Sequence, residues 1–313
     1  MYRFVGILFV AVSAVGFGTL AIFARYAYAD GLSTSTILFI RFALATAVML
    51  CLLISRRERL PHGIVLLELI GMGAVGYVGQ AFCFLAALHY ASSGLVALLL
   101  YLYPAFVAVL SAWLLREPIT GIKIPALGLA LAGTALTVGP EGGRWLGILL
   151  AILAAVIYSF YIIVGTRVMK QVSAIQSSTV IFGSAAAVSG ILMAATGPQT
   201  PATGAGWAAI AGIVLVATVL PVSSFLAGLK RIGPNNAAML STLEPAVTVL
   251  LAALLLGETL KPIALLGGSM VLAAVLLLAY GELRRVQPKS SVKSTPVSQK
   301  ASAPRPSASL SGK

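Results

Sequence analysis

The sequence predicts an all-α membrane protein: ten transmembrane helices arranged as two inverted five-helix repeats. Three observations lead there. Hydrophobic residues make up 59% of the 313-residue chain and charged residues only 9%, with a mean hydropathy of +1.02; a soluble domain carries about 25% charged residues. Apolar runs long enough to cross about 30 Å of hydrocarbon as helices recur from end to end, without the alternation of a lipid-embedded barrel. The chain also repeats itself: LYPAFVAVLSAWLLREPITG at 102–121 returns as LEPAVTVLLAALLLGETLKP at 243–262, an offset of 141 residues that sets Pro104 on Pro245 and Glu117 on Glu258.

The spans follow in order. The first, 4–24, comes after Arg3. AYA at 27–29 has the form of a signal-peptide cleavage site, but an apolar run of about 20 residues exceeds a signal-peptide core and has an internal homologue. It is therefore expected to remain as a helix. The second span, 33–54, ends at RRERLPH; the third, 64–87, at HYAS; the fourth, 91–115, at REPITGIK; the fifth, 121–139, at GPEGGR. The other five cover 145–165, 173–196, 206–228, 234–256 and 261–281. Short connections make sequential helices antiparallel neighbours. The tail, 284–313, is rich in Ser, Pro and Lys without apolar periodicity and is expected to be a disordered, basic, cytoplasmic segment near anionic lipid.

Lys and Arg set the orientation. With the N-terminus in the cytoplasm, 17 of the 21 fall on the inner side, seven of them in the tail. Arg25, Arg144 and Lys261 fall outside, and Arg41 lies within the second span. Without the tail the split is still ten to three. The net charge of +13 is thus a topological signal, with no basic groove for nucleic acid. Cys51 and Cys83 sit inside apolar segments and give neither a disulfide framework nor a metal spacing. No cofactor or metal is expected.

The offset extends to GILFVAVSAVGFGTL at 6–20 against GILLAILAAVIYSFY at 147–161, and to LAALHYASSG at 85–94 against LAGLKRIGPN at 226–235. It divides the chain into repeats at 1–140 and 141–283. Five spans per repeat is an odd number, so the second repeat inserts upside down. The charges obey this: Arg116 and Lys123 become Gly257 and Ala264, while His89 and Tyr90 become Lys230 and Arg231. Inverted repeats are a signature of secondary transporters.

The pair Arg41-Phe42, the stretch ALHYASSGLVALLLYLYPAF with LLREPIT, and LKRIGPNNAAMLSTLEPAVTVLLAALLLGETL carry a family resemblance. Over about 1–283 the chain resembles the drug/metabolite transporter superfamily, EamA type. That resemblance implies ten helices, cytoplasmic termini and export of small metabolites across the inner membrane. It also implies a central cavity among helices 1, 3, 4, 6, 8 and 9, and an EP pair shared across substrates.

Glu244 lies about ten residues, or about 15 Å, into the ninth span, near the bilayer centre. A charge there faces the bundle or a wet cavity. It binds a substrate amine or a proton, or it makes a structural hydrogen bond beside Pro245; its repeat mate is Tyr103. Arg41, mate of Phe182, meets an anionic group (Glu244 included), snorkels outward or bonds to carbonyls. Tyr77, Tyr101, Tyr103, Tyr158 and Tyr161 lie nearer mid-span than an interfacial belt. Gly73, Tyr77, Gln80 and Phe84 share a helix face, and Phe17 is the mate of Tyr158. These residues line a cavity or pack as core. Pro104, Pro221 and Pro245 lie within helices, as kinks for gating or as static packing. Gly16, Gly18, Gly71, Gly73, Gly76 and Gly79 permit close helix contacts. Glu117 and Glu258 read as helix caps or as a gating latch.

The expected function is a secondary transporter of the plasma membrane. It exports an amino acid or related amphipathic metabolite by alternating access, with protons as a second partner. An uncoupled facilitator and a multidrug efflux carrier are the alternatives. An intramembrane enzyme has little support: His62 and His89 lie near membrane edges, and neither GxSxG nor HExxH occurs. Nothing in the sequence bears on oligomeric state.

Overall fold

The computed structural model describes residues 2–87, 90–91, 96, 99–116, 121–138, 144–256 and 262–284. The roles expected of Glu117 and Glu258, the charge exchanges at His89 and Gly257, and the tail beyond Arg284 lie outside the described residues.

Ten helices account for the described elements: α1 (Tyr2–Ala29), α2 (Thr34–Ser55), α3 (from Ile64 to Ala87), α4 (Tyr103–Leu114), α5 (Lys123–Val138), α6 (Trp145–Val168), α7 (Ala174–Thr196), α8 (Gly204–Ile232), α9 (from Pro234 to Leu256) and α10 (Pro262–Arg284). Seven have a stretch long and apolar enough to cross a membrane; the apolar stretches of α4, α5 and α10 are shorter. Local chemistry sets several starts. Ser33 caps α2 and Thr203 caps α8 through their hydroxyls, and Ser173 with Gln176 forms a capping box on α7. α8 runs past its expected limits, from the Thr203 cap to Lys230 and Arg231 in its last turn, where basic side chains suit the helix dipole. It ends at Gly233, whose φ of 80° favours glycine.

Two kinds of irregularity recur. Wide, π-type turns occupy Met72–Tyr77 in α3 and Leu215–Val219 in α8, overlapping stretches under the 141-residue offset. Pro221 follows the second, but Gln80 stands at its place in α3, so proline is not the common cause. Turns at Thr242 and at Tyr101–Leu102 interrupt helix at matching positions. Pro104 and Pro245 therefore lie in the first turns of half-helices, where a missing N–H leaves no bond unmade. α1 breaks at Thr19, whereas its mate α6 is continuous there.

The packing is two-fold. α1 lies antiparallel to α8: a Cβ on Gly6 would fall 2.6 Å from Ile232 and 2.7 Å from Arg231, and one on Gly16 2.8 Å from Pro221. α6 lies antiparallel to α3 in the same way, with Gly147 against Tyr90 and Ala91. Shifting Gly6 and Arg231 by 141 in opposite directions gives Gly147 and Tyr90. α2 pairs with its own mate α7, and α5 with α10. At one end the Ser33 amide donates to Gln199; at the other the Ser173 hydroxyl donates to Glu58, and Glu58 and Gln199 are again 141 apart. The end bearing Tyr2 and Arg231, whose guanidinium covers the Tyr2 ring, is called the terminal end, and that bearing Asp30 the distal end.

The core is apolar and dense, with Phe42 stacked on Phe182 at 6.3 Å. The exterior is apolar too: Trp113 is 75% and Leu254 70% exposed, a surface made for lipid.

Candidate functional site

A cavity of about 400 Å³ lies among six helices. α1 gives Phe17, Leu20, Ala24 and Tyr28; α2 gives Thr34, Ile37, Leu38 and Arg41; α3 gives Tyr77, Gln80, Ala81 and Phe84. Leu100, Tyr101 and Tyr103 line it at the start of α4, Tyr158 from α6, and Glu244 and Thr248 from α9. Tyr28 and Thr34, hydroxyls 3.2 Å apart, place its mouth at the distal end. Below the floor the first half of α9, Pro234–Ser241, is buried along all eight residues and seals the terminal side. At 1.5 Å per residue that seal is about 12 Å thick.

The floor is built by the broken helices. Glu244 lies in the first turn of the second half of α9, where orphan backbone N–H groups and the positive helix end favour a carboxylate. The Tyr101 hydroxyl lies within hydrogen-bonding reach of it. Tyr103, 2% exposed, donates to the carbonyl of Ala238 at 3.2 Å. Ser159 donates to the Tyr103 carbonyl at 3.2 Å. Thr248 donates to the carbonyls of Glu244 and of Gly18, the latter beside the break in α1.

Aromatic rings form the wall. Tyr103 meets Tyr158 edge-on at 4.8 Å, Tyr158 stacks on Tyr161 at 5.9 Å, Tyr161 meets Tyr77 at 6.0 Å, and Tyr77 meets Phe42 at 5.3 Å. Such pairs contribute about 0.5–1.5 kcal/mol each beyond area burial, so the wall is stiff. Tyr161, 4% exposed, is outside the cavity and backs Tyr77 and Tyr158.

Arg41 does not snorkel. Its guanidinium is 5% exposed and donates through Nε to Thr218 at 2.6 Å and through Nη2 to Tyr77 at 3.0 Å, with the Ala217 carbonyl at 3.5 Å. It also lies 5.1 Å from the Phe42 ring centroid. Thr218 in turn donates to the Ile213 carbonyl at 2.6 Å, five residues back along α8. Tyr77 and Thr218 are repeat mates, so Arg41 bridges one position in both halves.

Of the residues singled out from sequence, Phe17, Arg41, Tyr77, Gln80, Tyr101, Tyr103, Tyr158 and Glu244 come together at this cavity. Gly73 departs from the face of Tyr77, because the wide turn rotates it toward α7, where a Cβ would fall 2.3 Å from the Ile181 carbonyl oxygen. Pro221 packs on Gly16 away from the cavity. Thr34, Ile37 and Leu38 of the α2 wall and Thr218 were missed. Adding the repeat offset to Tyr77 points to Thr218, but nothing in the local pattern of α2 marks its cavity face. α8, expected in the lining, contributes none of it. A second depression, between Leu66, Ile70, Val180 and Ser184, is almost wholly carbon-lined and on the exterior of α3 and α7. Among the described residues no group of three His, Cys, Asp or Glu could hold a metal, and Cys51 and Cys83 are free thiols.

Comparison with known proteins agrees with this architecture. The profile of the EamA-like transporter family matches residues 4–139 and again 145–280. An uncharacterized transporter of Archaeoglobus fulgidus is 29% identical over 271 residues, covering 86% of this chain and 94% of its own. The uncharacterized transporter YcbK of Bacillus subtilis is 25% identical, covering 89% and 94%. The uncharacterized inner membrane transporter YedA of Escherichia coli K12 is 25% identical, covering 78% and 80%. A solved crystal structure superposes with a TM-score of 0.77 at 20% identity, covering 90% of this chain and 99% of that one, which is a likeness of fold.

Proposed function

Because the chain belongs to the EamA-like transporter family, and so is a membrane transporter and not an enzyme, we propose that it is a secondary carrier of the cell (inner) membrane. It exports an amino acid or related amphipathic metabolite by alternating access between repeats 1–140 and 141–283. Both termini, with the tail at 284–313, lie in the cytoplasm, so the cavity faces outward. The observation that carries the reading is a mid-membrane carboxylate, Glu244, on the floor of a tyrosine-walled cavity entered from one end only. A carboxylate takes a substrate ammonium or a proton, and aromatic faces attract cations and apolar groups alike. YedA, described as an inner membrane transporter, supports the location. The substrate-binding set is Phe17, Tyr77, Gln80, Tyr101, Tyr103, Tyr158 and Glu244, with Tyr161 acting through its neighbours. The breaks ahead of Pro104 and Pro245 are the hinges, and Pro221 a packing contact.

The test is reconstitution in vesicles with amino acids, nucleosides and amphipathic drugs as probes. An imposed pH gradient should drive uptake of one class, and Glu244→Gln should abolish that drive. Uptake indifferent to the gradient, with Glu244→Gln transporting normally, would show an uncoupled facilitator. Unchanged transport in Tyr77→Ala, Gln80→Ala and Tyr158→Ala would remove the cavity from the pathway.

A further inference from the structure

The repeat relation and the cavity together say more than either alone. When two like halves exchange conformations, each cavity residue hands its place to its mate 141 positions away. For two pairs, Phe17 with Tyr158 and Tyr103 with Glu244, both members already line the cavity. These lie on the relation's axis and stay at the floor in either state. The others have mates elsewhere. Five of these fourteen mates are Ser or Thr: Ile37 and Leu38 map to Ser178 and Thr179, Tyr77 to Thr218, and Leu100 and Tyr101 to Ser241 and Thr242. All five mates are buried, none lines the cavity, and they sit on α7, α8 and the break in α9.

We propose that Ser178, Thr179, Thr218, Ser241 and Thr242 form the wall of a second, closed vestibule that reaches the same floor from the terminal end. The inference rests on the alternating-access reading and specifies its hidden half. α7 and α8 then take the places that α2 and α3 hold in the open vestibule. This accounts for the absence of α8 from the present lining.

The hydrogen bonding of this wall differs from that of a permanent core. Thr179 donates to Ile175 at 2.8 Å, Ser241 to Ala237 at 2.9 Å and Thr242 to Met239 at 2.6 Å, each within its own helix. Ser178 meets Ser223 at 3.3 Å across to α8, a contact between the two helices that would line the same vestibule. The hydroxyls of Thr179, Ser241 and Thr242 are satisfied without tying the seam shut and hydrate readily once it parts, whereas Thr218 accepts from Arg41 at 2.6 Å, a bond that must open with it. Two nearby polar atoms are buried without a partner: Asn236 Oδ1 on the sealing half-helix and Ser13 Oγ on α1, which packs against it. Orphan polar groups of this kind are costly unless another state wets them. The two vestibules also differ in charge. Arg41 maps to Phe182, so the cation at this position of the distal wall is replaced by an aromatic ring in the other.

Single cysteines test this in a Cys51→Ser, Cys83→Ala background, in proteoliposomes, with an N-terminal tag to report orientation. A membrane-impermeant maleimide is applied from one side at a time. Ser178→Cys and Ser241→Cys should react from the tag side only, about tenfold or more slower than Leu38→Cys reacts from the opposite side, as for a minor state. Buried Ala185→Cys should stay unlabelled over the same period, and Thr179→Cys replaces either variant if it is not monodisperse. No reaction from the tag side while Leu38→Cys reacts, or reaction from the opposite side, overturns the proposal. A protein that transports while both cysteines stay unlabelled refutes the second vestibule alone. Labelled cysteines in a protein that moves none of the probes refute the substrate reading alone.

Discussion

Arg41 offers a thermodynamic test of how the two halves are joined. Replacing it with Met keeps the length of the apolar stem but removes the guanidinium, with its bonds to Thr218 at 2.6 Å and Tyr77 at 3.0 Å. Replacing Thr218 with Val keeps the shape but leaves a buried charged donor without its acceptor. Hydrogen bonds between membrane helices average about 0.6 kcal/mol and reach about 1.7, while those to charged groups run to about 1.5–3. At 5% exposure little of the side chain meets water even though it lines the cavity, so the upper range applies. Thr218→Val alone should cost about 2–3 kcal/mol, including its own bond to Ile213. In the Arg41→Met background that same change should cost only about 1 kcal/mol, because no charge is then stranded. The cycle should thus show a coupling of about 1–2 kcal/mol, or about 2–8 °C in melting temperature. The assay is unfolding of wild type, both single variants and the double variant in mixed micelles. Additivity within about 0.5 kcal/mol would refute the bridge and leave Arg41 as a cavity group with no role between the repeats.

Other expectations follow from the same geometry. Gly73→Ala places a Cβ 2.3 Å from the Ile181 carbonyl oxygen and should cost about 1–3 kcal/mol, whereas Gly71→Ala meets nothing within 4 Å and should be neutral or slightly stabilising; equal effects in thermal melts would disprove the α3–α7 contact. The Thr203 hydroxyl, then the backbone N–H groups of Thr203 and Ala202, hold the Asp30 carboxyl below its ordinary value against a smaller opposing effect of burial. The stability contributed is present above the unfolded value of about 3.9 and is lost as pH falls through the folded one. Melting temperature should therefore drop more steeply below about pH 4 in wild type than in Asp30→Asn, and parallel acid limbs would contradict this. Transport driven by a pH gradient should vanish in Glu244→Gln and survive in Ser269→Ala, whose hydroxyl is exposed and bonds only within α10.

Much of the fold was legible in the chain because lipid imposes strict rules. Every backbone group in hydrocarbon must bond internally, so apolar length alone marks helices. The span from 4–24 extended to Ala29 and that from 206–228 to Gly204–Ile232, because apolar runs give no stop and caps and glycines set the ends. The repeat offset located Tyr103 opposite Glu244 before any contact was known. Less legible were the helix interiors. Wide turns at Met72–Tyr77 and Leu215–Val219 have no shared residue pattern, yet they turned Gly73 off the face of Tyr77 and brought Thr218 to Arg41. Tyr158 and Tyr161, three residues apart, are equal mid-span candidates in the sequence, but only Tyr158 reaches the cavity.

By itself, the sequence determined the membrane class, the ten spans, the duplication and the short set of polar side chains within them. These follow from composition, length and charge balance, which act through solvent and need no partner. Only the tertiary structure decided which end of the cavity is open, that α2 and not α8 lines it, and that Arg41 is bonded to both repeats. Those depend on contacts between helices far apart in the chain, which composition, length and charge balance do not encode.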